Sequence, residues 1–119
     1  MAKETILLVE DEPAVRQLFR TALTRAGYRV VDAANGEEAI KQFDQQADAI
    51  DLLLTDMRMP YMGGAELAKT LRQRKPGLKL ISISGYVGSL EAETATDFLA
   101  KPFSRDEMLR KIREVLDRR

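Results

Sequence analysis

The sequence predicts an α/β fold in which a doubly wound, five-stranded parallel sheet is flanked by helices on both faces. Strand-like and helix-like segments alternate along the 119 residues, which is typical of such a fold. In addition, short apolar runs end in acidic, small polar or basic residues, as expected of strands that carry a site at one sheet edge. These runs are Ile6–Val9 before Glu10, Leu52–Thr55 before Asp56, Leu80–Ile83 before Ser84 and Phe98–Ala100 before Lys101.

The first part of the chain predicts a strand, a helix and a second strand. Thr5–Val9 is a short apolar run and is the first predicted strand. Pro13–Ala26 is predicted to be a helix because its apolar residues recur at helical spacing. Proline suits its first turn and Gly27 suits the position after its end. Tyr28–Ala33 is the second predicted strand.

The middle of the chain predicts a helix, a strand and another helix. Asn35 is a suitable cap for the second helix, with Glu38 three residues later. Asp51–Thr55 is the third predicted strand. Gly64–Arg74 is the third predicted helix, and the Pro-Gly pair that follows would end it.

The last part of the chain predicts two strands and two helices. Lys79–Ile83 and Asp97–Ala100 are the fourth and fifth predicted strands. Residues 87–96 predict a short fourth helix with few large apolar side chains. Ser104 and Glu107 match a capping box that would begin the last helix.

Composition narrows the function classes. Lys+Arg and Asp+Glu both number 19, so the chain lacks the basic excess that is typical of nucleic-acid binding. It has no cysteine for a disulfide or a thiolate metal site, and no histidine for an imidazole base or a phosphohistidine. We find no targeting segment and no apolar stretch long enough to enter a membrane. One cytoplasmic domain over residues 1–119 is therefore expected.

The predicted sheet brings polar side chains together at one edge. The runs Ile6–Val9 and Leu52–Leu54 are apolar on both faces and so predict central strands, whereas Tyr28–Ala33 alternates more and predicts an edge strand. Sites in open α/β sheets form at the carboxyl ends of the strands. The residues expected there are Glu10, Asp11, Asp56, Ser84 and Lys101.

The chemistry of this set favours a hard metal ion and a phosphoryl group. Three crowded carboxylates repel one another, and a divalent cation relieves that repulsion. A site of oxygen ligands without histidine or cysteine indicates Mg²⁺, or else Mn²⁺. One carboxylate could then attack phosphorus. Lys101 would neutralise phosphoryl charge, and Ser84 would donate a hydrogen bond to a phosphoryl oxygen.

The order of the motifs resembles the receiver domain of two-component response regulators. The motifs span nearly the whole chain: Glu10-Asp11, Asp56 followed by Met59-Pro60 and Gly63-Gly64, Ser84-Gly85, and Lys101-Pro102-Phe103. The resemblance implies a flavodoxin-like sheet with strand order 2-1-3-4-5. The run Ile83–Tyr86 is most similar to receivers of hybrid sensor kinases. The interval from Ser84 to Lys101 is about one helical turn shorter than is usual in the family, which implies a shortened fourth helix.

The resemblance also implies roles for individual residues. Asp56 would accept the phosphoryl group and ligate Mg²⁺ together with Asp11. Glu10, which stands where the family usually has a second aspartate, would support the metal directly or through water. The backbone carbonyl of Arg58 would be another ligand. Ser84 and Phe98 would form the switch, Lys101 would pair with the phosphoryl group, and the Lys101–Pro102 peptide would be cis.

The implied partners are a histidine kinase or phosphotransfer protein as donor, and an output partner or linked domain. Phosphorylation would change the face formed by the fourth helix, the fifth strand and the last helix, and a weak homodimer is allowed. Such a domain is not a dedicated enzyme, but it catalyses its own phosphorylation and dephosphorylation.

Three alternative functions share part of this pattern. A phosphatase of the haloacid-dehalogenase type needs a second aspartate two residues after Asp56, where Arg58 stands. A flavodoxin-like binding module would cradle phosphate in its first loop, which Glu10-Asp11-Glu12 would repel without metal. A receiver-like interaction module that works without phosphorylation stays open.

Overall fold

The structure is a computed structural model that describes residues 4–59, 62–84 and 97–118, with the backbone alone at Ser84. Five parallel strands form one sheet in the order β2-β1-β3-β4-β5. The strands are β1 (Thr5–Val9), β2 (Arg29–Ala33), β3 (Ile50–Asp56), β4 (Lys79–Ser84) and β5 (Phe98–Ala100). The helices are α1 (Pro13–Arg25), α2 (Gly36–Gln46), α3 (Gly64–Arg74) and the C-terminal helix (Arg105–Asp117). The predicted fold class and strand order are confirmed.

The sheet is covered on both faces, as the apolar runs predict. Ile6 and Leu8 of β1 pack with α1 and the C-terminal helix, while Leu7 and Val9 pack with α2 and α3. All four side chains are fully buried. Successive strand residues point to opposite faces, so two apolar layers require a strand with no polar face. β2, in contrast, is mostly half-buried at the edge.

Two helix starts are capped as predicted. The Asn35 side chain accepts a hydrogen bond from the Glu38 amide at 2.8 Å. Ser104 Oγ accepts from the Glu107 amide at 3.0 Å, and Glu107 Oε1 accepts from the Ser104 amide at 3.2 Å. This reciprocal pair satisfies two amides that have no partner within the helix.

The connection from α1 to β2 corrects two predicted boundaries by one residue each. Gly27 follows the helix with φ 101°, a conformation that favours glycine, as its predicted place implies. The Tyr28 amide donates to the Leu23 carbonyl at 3.1 Å and so completes the helix end. Tyr28 therefore precedes β2 instead of beginning it, and α1 ends at Arg25.

β3 is one residue longer at each end than predicted. Ile50 belongs to the strand because it pairs with Thr5 of β1, across a shift in register. Asp56 belongs to it because it pairs with Ile83 of β4. The candidate acceptor is thus the last residue of a central strand, where the backbone is held by a neighbouring strand.

The strands β4 and β5 also differ by one residue. Ser84 extends β4 because it pairs with Ala100. Asp97 lies just outside β5, although its carbonyl accepts a hydrogen bond from the Ser82 amide at 3.1 Å. The predicted short helix over residues 87–96 lies outside the described residues and stays a prediction. Within the described ranges, no helix is long and apolar enough to cross a membrane.

Candidate functional site

The carboxyl edge of the sheet gathers the predicted acidic residues. Glu10 directly follows β1, and Asp56 ends β3, its neighbour in the sheet. One carboxylate oxygen from each of Glu10, Asp11 and Asp56 lies within 4.8 Å of the others. Lys101, directly after β5, reaches the same point. Ser84 ends β4 at this edge, and its side chain lies outside the described part of the structure.

Each carboxylate oxygen of Asp56 has one N–H donor. Oδ1 accepts from the Arg58 amide at 3.0 Å, and Oδ2 accepts from Lys101 Nζ at 3.1 Å. The Asp56 side chain is 9% exposed, whereas the Lys101 side chain is 41% exposed. Lys101 therefore extends from solvent over a buried acid, where its ammonium can meet an incoming anion.

Glu10 is the most deeply buried of the three acids, with 1% of its surface exposed. Oε1 accepts from the Glu12 amide at 3.2 Å. Oε2 is, within the described ranges, the one buried side-chain oxygen or nitrogen without a hydrogen-bond partner. Burial raises the pKa of this carboxyl to about 7, and the charge of Asp56 adds to the rise while the Glu12 amide opposes it.

The donor set fits a hard divalent cation. A buried oxygen without a partner is costly, and three acids this close repel one another. A cation would satisfy the Glu10 oxygen and relieve the repulsion. Oxygen ligands from carboxylates suit Mg²⁺, which commonly uses one or two carboxylates and keeps several waters. The residues present therefore fit the magnesium ion that the sequence predicts.

The loop after β3 is shaped by a close approach of α3. The Gly64 amide donates to the Met57 carbonyl at 3.2 Å. A Cβ on Gly64 would lie 2.6 Å from the Asp56 carbonyl oxygen, which is closer than real Cβ atoms come. The second glycine of the Gly63-Gly64 motif thus lets the helix start directly against the strand end that carries Asp56.

The loop after β1 is held by a residue that the sequence analysis did not single out. Arg16 of α1 donates from Nη1 to the Glu10 carbonyl at 2.8 Å. Its Nε lies 3.5 Å from Asp32 Oδ2 of β2. The one signal in the sequence is a basic residue one turn into a helix that follows an acidic pair.

The remaining predicted residues surround this edge. Phe98 is half-buried in β5, and the Lys101–Pro102 peptide bond is cis, the isomer that the resemblance implies. Phe103 stacks on Phe19 of α1 with ring centroids 5.6 Å apart. Leu18, one residue earlier in α1, is 66% exposed.

Comparison with known proteins agrees with this arrangement. The sequence matches the family described as "Response regulator receiver domain" over residues 6–113. It is 38% identical to sensor kinase CckA of Brucella abortus (strain 2308) over 119 residues, covering 96% of this chain and 13% of that protein. The chain spans half or less of the length of the curated relatives that it matches.

Solved structures are similar over nearly the whole chain. A CheY-like response regulator receiver domain protein from Methanospirillum hungatei JF-1 aligns with a TM-score of 0.89 and 29% identity, covering 98% of this chain and 95% of that one. Response regulator TrrA of Thermotoga maritima, solved with Mg²⁺-BeF, aligns with a TM-score of 0.84 and 34% identity, covering 94% and 98%. The fold, the acidic edge and the match over residues 6–113 lead to one conclusion: this chain belongs to the response regulator receiver domain family.

Proposed function

We propose that this domain accepts a phosphoryl group on Asp56 and uses it to control a partner in a two-component system. The observation that carries the proposal is a buried Asp56 carboxylate with Lys101 Nζ at 3.1 Å and two further carboxylates within 4.8 Å. One sheet edge thus carries a proposed nucleophile in Asp56, an ammonium in Lys101 that could balance phosphoryl charge, and a group of acids that could hold a metal ion. The family match supports the same role.

The proposed reaction is an in-line transfer from phosphohistidine. A carboxylate oxygen of Asp56 bonds to phosphorus while the P–N bond breaks, and the electron pair stays on the leaving imidazole. The 119 residues contain no histidine, so the donor lies outside them, on a histidine kinase or phosphotransfer protein in the cytoplasm. Hydrolysis of the acyl phosphate would return Asp56 to its starting state.

The neighbouring residues have separate proposed roles. Glu10, Asp11, Asp56 and the Arg58 carbonyl would hold Mg²⁺, or Mn²⁺, which when bound offsets the negative charge shared by the carboxylates and the phosphoryl oxygens. Lys101 would pair with a phosphoryl oxygen, since its ammonium already lies at Asp56 Oδ2. The magnesium complex of the Thermotoga relative supports the metal assignment.

A protein donor is supported by an apolar patch beside the site. Leu18 is the one large hydrophobic residue that is exposed among those described, and it borders a groove with the stacked rings of Phe19 and Phe103. Phe103 follows Lys101 by two residues, so the chain leads directly from the acidic edge to this patch. A helix of the donor protein could cover this patch while its phosphohistidine meets Asp56.

The proposed output involves Ser84 and Phe98, the two residues expected to form the switch. Phosphorylation would draw Ser84 toward the phosphoryl group and let Phe98 follow, shifting an equilibrium that already exists. The surface formed by residues 87–96, β5 and the C-terminal helix would then change toward an output partner or a linked domain. A module that binds its partner without phosphorylation is the alternative, and direct nucleic-acid contact is not expected from a net charge of zero.

The test is phosphorylation by acetyl phosphate, followed by Phos-tag gel shift and intact mass. Wild type should gain one phosphoryl group in Mg²⁺ and none in EDTA. Asp56→Asn should gain none, while Asp48→Asn, at an exposed aspartate outside the acidic edge, should react like wild type. Adduct on Asp56→Asn, or equal adduct in EDTA, would overturn the assignment. No adduct on wild type would favour the phosphorylation-independent module.

A further inference from the structure

Both backbone polar groups of Glu10 are held by neighbouring elements. The Glu10 amide donates to the Ala33 carbonyl at the end of β2, at 3.1 Å. The Glu10 carbonyl accepts from Arg16 Nη1 of α1 at 2.8 Å. The backbone is therefore held on both sides of the Glu10 Cα, and the bond from Arg16 fixes the peptide that leads on to Asp11.

Arg16 is itself held in place. Its Nε lies 3.5 Å from Asp32 Oδ2, and its side chain is only 20% exposed. Arg20, one turn later in α1, also pairs with Asp32. The two arginines share one carboxylate, but within the described part of the chain only Arg16 also donates a hydrogen bond to the loop after β1. Asp32 thus anchors a guanidinium that reaches from β2 to the Glu10 peptide.

We infer that Arg16 is a positioning residue for the metal site, acting through the Glu10 carbonyl instead of touching the ion. This inference rests on the proposed function, since it assumes that Glu10 and Asp11 hold Mg²⁺. Without the hydrogen bond from Arg16 to the Glu10 carbonyl, the loop that carries the Glu10 and Asp11 carboxylates would sample more conformations. Ordering it would then oppose metal binding.

The direction of the change in Mg²⁺ affinity distinguishes a positioning role of Arg16 from a purely electrostatic effect of its charge. Arg16 is a cation near a cluster of acids, so removing its charge alone would strengthen the binding of another cation. Loss of the bond to the Glu10 carbonyl would weaken that binding. A net weakening therefore cannot come from the charge, and Arg20 supplies the matched control because it carries the same charge on the same helix.

The experiment measures Mg²⁺ affinity by calorimetric titration with the metal alone, for wild type, Arg16→Ala, Arg16→Lys and Arg20→Ala. Arg16→Ala should raise Kd by about tenfold, the lower end of the range for outer partners of metal ligands. The Kd of Arg16→Lys should lie between those of wild type and Arg16→Ala, because a lysine ammonium can reach the Glu10 carbonyl or Asp32 but does not bridge both. Arg20→Ala should stay at or slightly below the wild-type Kd. Saturating Mg²⁺ should restore the acetyl-phosphate rate of Arg16→Ala.

Several outcomes would decide the matter. Equal Kd for Arg16→Ala and wild type, or an equal rise for Arg20→Ala, would overturn the inference. If Arg16→Ala does not fold, Arg16→Lys against Arg20→Lys decides in the same way. If wild type itself binds no Mg²⁺, the proposed function fails instead. Amide exchange at Glu10 in metal-free protein then tests Arg16 separately: it should quicken at least several-fold in Arg16→Lys, and an unchanged rate would overturn the inference.

Discussion

Neutralising Glu10 should stabilise the metal-free protein at high pH. Glu10→Gln keeps the side-chain shape and an acceptor for the Glu12 amide. It removes the charge of a buried carboxylate whose Oε2 atom has no hydrogen-bond partner in the described structure. The pKa of Glu10 is raised from 4.5 to about 7, mainly by burial. A shift of that size corresponds to about 3 kcal/mol of unfolding free energy, taken as an upper value.

The direction follows from proton binding. The folded state holds the Glu10 proton more tightly than the unfolded chain does, so the contribution to stability is complete below pH 4.5 and is lost as pH rises through about 7. The chain has no histidine, the side chain that ordinarily titrates in this window. Wild type should therefore lose stability between about pH 5 and about pH 8, while Glu10→Gln should lose much less.

Urea unfolding followed by far-ultraviolet circular dichroism, in EDTA, measures the difference. Glu10→Gln should exceed wild type by about 2–3 kcal/mol near pH 8 and by under about 1 kcal/mol near pH 5. Mg²⁺ should narrow the gap because it stabilises only a folded state that binds it. Glu12→Gln, at an exposed neighbour, should differ little from wild type. A gap that does not change with pH, or a wild type that is the more stable protein near pH 8 in EDTA, would refute the reasoning.

Other substitutions test the packing of Gly64, the apolar patch around Leu18 and the Ser104 helix cap. Gly64→Ala should cost about 1–3 kcal/mol in urea unfolding, because its Cβ would lie 2.6 Å from the Asp56 carbonyl oxygen. Gly77→Ala, with nothing within 4 Å, is its control and should stay within about 1 kcal/mol of wild type. Leu18→Ala should slow phosphorylation by a histidine kinase severalfold and leave the acetyl-phosphate rate unchanged; equal loss in both assays would contradict a docking role. Ser104→Ala should lower unfolding free energy by about 1 kcal/mol, and an unchanged thermal midpoint would show that the cap adds nothing.

Local signals in the sequence were sufficient to predict most helices and strands. Gly27 and Asn35 mark a helix end and a helix start through backbone conformation and capping, which depend on near neighbours. The central place of β1 was predictable because a strand buried on both faces has no polar alternation. The gathering of Glu10 and Asp56 followed from parallel strands alone.

Features that depend on distant neighbours were not predictable. Ile50 belongs to β3 only because Thr5 pairs with it across a shift in register. Leu18 follows the helical spacing of buried residues, yet it is 66% exposed because no described element covers that part of α1. The bond from Arg16 to the Glu10 carbonyl depends on how α1 lies against the loop, which spacing along the chain does not fix.

The contact between Lys101 and Asp56 joins residues 45 positions apart, and the strands β4 and β5 lie between them along the chain. As the polypeptide emerges during synthesis, the acids of β1 and β3 can meet well before the ammonium that balances them exists. A partly synthesised or truncated receiver that ends before β5 would thus present an acid cluster lacking Lys101. If Asp56 accepts a phosphoryl group as proposed, such a chain would already carry the acceptor but would lack the ammonium that is expected to pair with the phosphoryl group.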